Sequence, residues 1–207
     1  NPYLSTLTGH SDFFSFLSPA PTGNIYDPKV LYDSGSDRFI YLILHGTSSQ
    51  QSELLIGFSQ SNNPAQDGWW VYRIQANQAH PGSWFDYPNI GVSNNEFYVC
   101  GNMFTDAGQN SGNILFQIEK NACYQGQNIN YQYWANVVHE GEQAFTMVPL
   151  SFGQQGNYGP GIYLVANETS EPSDRIFLFD LTNDMSSSNE TINTYAVNTT
   201  AFDVGGY

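Results

Sequence analysis

The sequence predicts an all-β protein of β-propeller-like architecture, with about three four-stranded blades and a repeat of about 60 residues. Three observations point there. Short runs rich in Tyr, Phe, Ile, Val and Leu recur between clusters of Gly, Asn, Ser, Asp and Pro. Apolar residues at helical spacing are nearly absent. The runs also keep step with one another at a fixed interval.

In chain order the runs are Arg38–His45, Glu53–Ser59, Trp69–Ile74, Glu96–Cys100, Asn113–Ile118, Tyr131–Val138, Gly161–Ala166 and Arg175–Leu181, with a weaker one at Thr191–Val197. Pro-containing segments at Asp27–Leu31, Tyr87–Val92 and Phe145–Leu150 each precede three of them. Second strands are thus expected near Arg38, Glu96 and Gly161, third strands near Glu53, Asn113 and Arg175, and fourth strands near Trp69, Tyr131 and Thr191. The blades fall at residues 27–80, 86–140 and 144–198 of a single domain spanning residues 1–207, itself complete or part of a larger propeller. Arg38–His45 and Arg175–Leu181 are apolar on both faces, as in strands sandwiched between neighbouring sheets. A closed propeller needs four to eight blades, so three leave surface for tails, further chain or neighbouring copies to cover. Self-assembly is therefore an expectation. A flattened β-sandwich of the same hairpins is the competing architecture.

Composition narrows the function classes. Charged residues are 12% of the chain, about half the usual share. Five Lys and Arg against nineteen Asp and Glu leave a formal charge of −14. Nucleic-acid and anionic-membrane binding require clustered cations, and the basic residues here are scattered, so neither partner is expected. No run approaches the length of a membrane span, so no membrane insertion is expected. Three sequons, at Asn167, Asn189 and Asn198, lie close together and favour a glycosylated, extracellular or cell-surface protein. In that compartment Cys100 and Cys123 are expected to form one disulfide, provided Asn121–Gly126 folds back toward β-strand Glu96–Cys100.

Asp27-Pro28-Lys29-Val30-Leu31-Tyr32-Asp33 with Gly35 and Arg38-Phe39-Ile40 resembles the opening blade of secreted bacterial sialidase-like (Asp-box) β-propeller proteins. Asp86–Val92, Glu96–Val99 and Asn102-Met103-Phe104 resemble it too, as do Leu54–Ser59 and Pro64–Trp70, so the likeness spans roughly residues 25–120. It implies a secreted propeller, often a module of a larger exported protein, and it implies no activity. A sialidase site would need Arg38, Arg73 and Arg175 to converge on a substrate carboxylate, and the Arg-Ile-Pro lead-in is missing.

Candidate sites are few. Glu140 and Glu142 are the most suggestive carboxylate pair for glycoside hydrolysis, sharing a face if they lie on one strand and merely polar if they lie in a turn. The oxygen-rich turns holding Asp106 and Asn110, and Asp33 and Asp37, are candidates for Ca²⁺, though neither has a closing bidentate Glu. Trp84 and Tyr87, in a loop entering a blade, are the aromatics best placed to stack on a ligand; the others read as core. Together these features suggest a non-catalytic extracellular module that engages glycan or protein, the alternative being a propeller-type glycoside hydrolase or lyase.

Overall fold

A computed structural model describes residues 13–150, 159–169 and 173–202; residues 1–12 and 203–207, at the unassigned ends, lie outside it. The fold is all-β. Four strands, β1 (Ile25–Asp33), β2 (Arg38–Ser48), β3 (Gln51–Ser59) and β4 (Trp69–Gln75), form a first antiparallel sheet in sequence order. The second sheet repeats the pattern with β5 (Ser83–Val92), β6 (Glu96–Thr105), β7 (Asn110–Glu119) and β8 (Tyr131–Ala135). A two-stranded hairpin, β9 (Val138–His139) and β10 (Glu142–Gln143), leads to the third sheet. That sheet comprises β11 (Phe145–Pro149), β12 (Ile162–Asn167), β13 (Ser173–Leu181) and β14 (Ile192–Phe202). Second and fourth strands start at or beside the residues read from the sequence, whereas third strands begin two or three residues earlier. No helix among the described residues is long and apolar enough to cross a membrane.

The first strands of the three sheets share one irregularity. In β1 the step from Tyr26 to Lys29 faces the shorter step from Leu44 to Leu42. In β5, Asp86 to Asn89 faces Asn102 to Cys100, and in β11, Phe145 to Val148 faces Asn167 to Val165. Each is a bulge with one extra residue, and each holds a non-glycine in the left-handed region: Asp27 (φ 51°), Tyr87 (φ 56°) and Thr146 (φ 53°). Pro28 and Pro88 follow the first two, because a residue without an N–H costs nothing where the ladder is interrupted. In the first two sheets the proline of the Pro-containing segment is the mark of this bulge in the sequence.

Both faces of the inner sheets are buried. Ile40, Leu42, Leu54, Ile56 and Phe58 of the first sheet pack against Phe97, Val99, Ile114 and Phe116 of the second. The opposite face of the second sheet, with Tyr98, Cys100 and Leu115, packs against Ile162, Leu164, Phe177 and Phe179 of the third. Tyr41, Ile43 and Leu55, on the far face of the first sheet, are covered by Phe13, Phe14 and Leu17.

Two buried polar ties lock this stack at corresponding places. Asp33, at the end of β1, pairs with Lys120 Nζ at 2.7 Å, and both side chains are 0% exposed. Lys120 also donates to Ser93 O, and Tyr124 O–H donates to Asp33. Burial pulls the Lys120 ammonium below its usual range, and Asp33 opposes that shift. One sheet further on, buried Glu96 accepts hydrogen bonds from Tyr98, Gln117 and the Met185 backbone N–H beyond β13. Burial pushes its carboxyl above the usual carboxylate range in spite of those donors.

Lys120→Met leaves Asp33 buried without its cation. We expect a loss of about 3–5 kcal/mol in urea denaturation, with Asp33→Asn/Lys120→Met recovering much of it. Glu96 makes a separate prediction. Its folded carboxyl holds a proton more tightly than the unfolded one, so its contribution to stability is full below pH 4.5 and is lost as pH rises through the folded pKa. Glu96→Gln should flatten that decline in denaturation curves recorded across the acidic range; an unchanged slope would show that the group is not responsible.

Candidate functional site

The bulges of β5 and β11 stand on either side of a cleft of ≈ 740 Å³. Tyr87 and Thr146, the left-handed residues of those bulges, line it, with Phe145 beside Thr146 and Phe104 from the end of β6. Gly108 and Asn110 reach it from the β6–β7 turn, Gln143 from β10, and Thr169 from beyond β12. The left-handed backbone is held by specific partners. Thr146 N–H donates to the buried Asn102 side chain at 2.9 Å, and the Asn102 amide donates back to Thr146 Oγ1 at 3.0 Å. Tyr87 N–H donates to Asp86 Oδ1 at 2.8 Å.

The wall formed by the second sheet is aromatic. Phe104 lies between Trp84, at a centroid distance of 5.7 Å, and Tyr87, at 6.0 Å. Trp84 is fixed by its Nε1–H, which donates to Thr105 O at 3.3 Å. Tyr87 is 55% exposed and presents a ring to solvent. Phe145 adds a ring from the third sheet, Asn110, Gln143, Thr146 and Thr169 supply amide and hydroxyl groups, and no charged side chain lines the cleft, although the chain as a whole is at −14. Asp86 stands behind Tyr87; burial raises its carboxyl above the usual range, and Asp27 of the neighbouring bulge adds repulsion.

The structure thus brings Trp84 and Tyr87 together, with Phe104 as the residue between them. The carboxylates of Glu140 and Glu142 have other engagements. Glu140 (φ 50°) and Gly141 (φ 86°) make the turn between β9 and β10, so the two carboxylates do not share one strand face. Glu140 pairs with Arg175 at 3.2 Å, and Glu142 accepts hydrogen bonds from the Thr169 backbone N–H and hydroxyl. The oxygen ligands considered for Ca²⁺ are dispersed. Asp106 accepts from Ser49 N–H and Oγ, Asp33 is in the buried ion pair, Asp37 accepts from Tyr32 and Asn62, and Asn110 lines the cleft. Among the described residues no three His, Cys, Asp or Glu side chains are grouped as a metal site. Asn167, Asn189 and Asn198 are all exposed.

The expected Cys100–Cys123 disulfide is absent; both thiols are free and buried. Cys100 faces the third sheet, where its Sγ lies 2.9 Å from Met147 O. Cys123, on the helical turn Lys120–Tyr124 after β7, packs in the core between the first and second sheets. The second sheet separates them. Burial raises both thiols, that of Cys123 to about 12. The three arginines also stay apart in their bonding: Arg38 donates to Ser36 O and Asp37 O, Arg73 meets Glu53 and Pro19 O, and Arg175 joins Glu168 and Glu140.

Phe104, Gln143, Phe145, Thr146 and Thr169 were not singled out by the sequence. The fixed spacing from Tyr87 to Phe145–Thr146 was the available signal, since it marks the same bulge in consecutive sheets. No protein-family model matches this sequence, and no curated protein is similar to it.

The placement of the thiols makes a direct prediction. A thiol reagent should label neither cysteine in the native protein and both in denaturant, and the intact mass should not change on reduction. A two-dalton gain on reduction would overturn the assignment.

Proposed function

We propose that this chain is an extracellular, non-catalytic binding module of propeller type, and that the Tyr87 cleft takes a neutral glycan. The observation that carries this reading is the exposed Tyr87 ring, set with Phe104 and Phe145 in a cleft whose other side chains are uncharged amides and hydroxyls. Sugars present apolar C–H faces to aromatic rings and hydroxyls to amides, so this lining matches a polyhydroxylated ligand better than an ion. The propeller reading is supported by three consecutive four-stranded meanders, each packed face to face on the last, and by the resemblance to sialidase-like blades. The separate engagements of Arg38, Arg73 and Arg175 argue against the substrate-carboxylate clamp of a sialidase.

One observation favours a hydrolase as the second reading. Asp86, which precedes the cleft residue Tyr87 in the chain and accepts from its N–H, has a carboxyl raised by burial and by repulsion from a second carboxylate, Asp27.

A panel of neutral oligosaccharides separates the two. Binding without turnover is expected, with Tyr87→Ala weakening it about tenfold in calorimetry while the fold is unchanged. No binding to any member of the panel would sink the glycan reading. Turnover abolished by Asp86→Asn would replace it with the hydrolase.

A further inference from the structure

Lys120 and Asp33 are surrounded by more than an ion pair requires. Lys120 Nζ lies 2.7 Å from Asp33 Oδ2, and both side chains are 0% exposed. Nζ also donates to Ser93 O at 2.6 Å, which fixes the direction of the amine. Asp33 Oδ1 accepts from the backbone N–H groups of Gly35, at 3.2 Å, and Ser36, at 3.4 Å. Tyr124 O–H donates to Oδ2 at 2.9 Å, and its ring packs edge-on against Phe58 at a centroid distance of 5.3 Å. These are the parts of an acyl-transfer site. There is a nucleophile, an electrophilic carbon, two backbone donors on one carboxyl oxygen and a hydroxyl on the other. Burial favours the uncharged amine of Lys120 and keeps the proton on Tyr124.

We infer that Lys120 and Asp33 condense to an intramolecular amide, a covalent tie between the first sheet and the second. The ammonium first passes one proton to the carboxylate, leaving a neutral pair in a site closed to solvent. Nζ then attacks Cγ. The Nζ–Cγ bond forms and the Cγ–Oδ2 bond breaks. Oδ2 departs as water, carrying the carboxyl proton and one amine proton relayed through the Tyr124 hydroxyl, while Gly35 and Ser36 hold the oxygen that stays. Nothing is oxidised or reduced, and no co-reactant is needed. The fixed contact supplies the proximity that a condensation between free groups lacks, and exclusion of solvent disfavours the reverse hydrolysis. The corresponding place one sheet further on is a natural contrast: Glu96 meets a phenol, an amide and a backbone N–H but no amine, so no such bond forms there. The stability loss expected for Lys120→Met is that of the ion pair, from which the reaction starts. The amide does not depend on the Tyr87 cleft or on the compartment of the protein.

Mass spectrometry of the denatured chain, on freshly purified protein and at intervals afterwards, tests the bond. The wild-type chain should come to weigh one water less than its sequence. Trypsin should then cut after Lys29, Arg38, Arg73 and Arg175 but not after Lys120, and residues 30–38 should be recovered joined to residues 74–175. Lys120→Arg keeps the cation but has no amine to acylate, so it should retain the full sequence mass. Tyr124→Phe should slow the loss of water about 100-fold, with circular dichroism checking that it keeps the fold. A wild-type chain at full sequence mass at every time, a lost water that maps to another site, or the same loss in Lys120→Arg would overturn the proposal. An unchanged rate in Tyr124→Phe would overturn the role given to that hydroxyl.

Discussion

A sheet that is apolar on both faces cannot stand alone in water, and this constraint organises the whole chain. Burial is worth roughly 25 cal/mol per Å² of apolar surface, so each such sheet draws another surface onto itself. The first sheet is covered on one side by Phe13 and Phe14 and on the other by the second sheet. The second is enclosed between its neighbours. This is why β2 and β3 read as unbroken apolar runs rather than as alternating ones: both sides of each strand meet protein.

Apolar packing alone would let sheets slide over one another, and the buried polar ties remove that freedom. Asp33–Lys120 joins the β1 end of the first sheet to the segment after β7 in the second. Glu96–Met185 joins the β6 start of the second sheet to the segment after β13 in the third. The connection is made twice at corresponding places with different chemistry, once by an ion pair and once by a carboxylate and a backbone N–H. Desolvation largely offsets what such contacts contribute to net stability. Their consequence is register, because each is satisfied in only one alignment of the two sheets.

The strands were legible because Tyr, Phe, Ile, Val and Leu concentrate in them and turn residues separate them. What lay beyond local pattern was not. The bulge was visible as a proline after Asp27 and Tyr87, but Met147 follows Thr146, so the third instance left no such mark. The side of the sheet taken by Cys123 could not be read from spacing, because the helical turn Lys120–Tyr124 interrupts the two-residue alternation that fixes Cys100. Glu140 and Glu142 have the spacing of same-face strand residues, yet Gly141 between them permits a turn, and the turn is what forms. Trp84 and Tyr87 were legible as a pair, but the cleft was not. Its other wall comes from Gln143, Phe145 and Thr146, more than fifty residues away, and only the packing of the third sheet on the second brings it there.

The bulges connect this architecture to the cleft. A left-handed conformation is costly for Tyr and more so for β-branched Thr, and it persists only where neighbouring groups hold it. Asn102 supplies that support for Thr146 through reciprocal hydrogen bonds, and Asp86 accepts from the N–H of Tyr87. A regular strand at Tyr87 would have returned its ring to one of the two packed faces of the sheet. The extra residue takes the ring out of that alternation and leaves it exposed beside Phe104. Asn102 lies in the sheet adjoining the third, so the contact that holds Thr146 in the cleft wall is itself part of the packing between sheets. The cleft wall at Thr146 therefore has no rigidity independent of the stack: a change that loosens the second sheet from the third reaches Thr146 through Asn102 before it reaches any ligand.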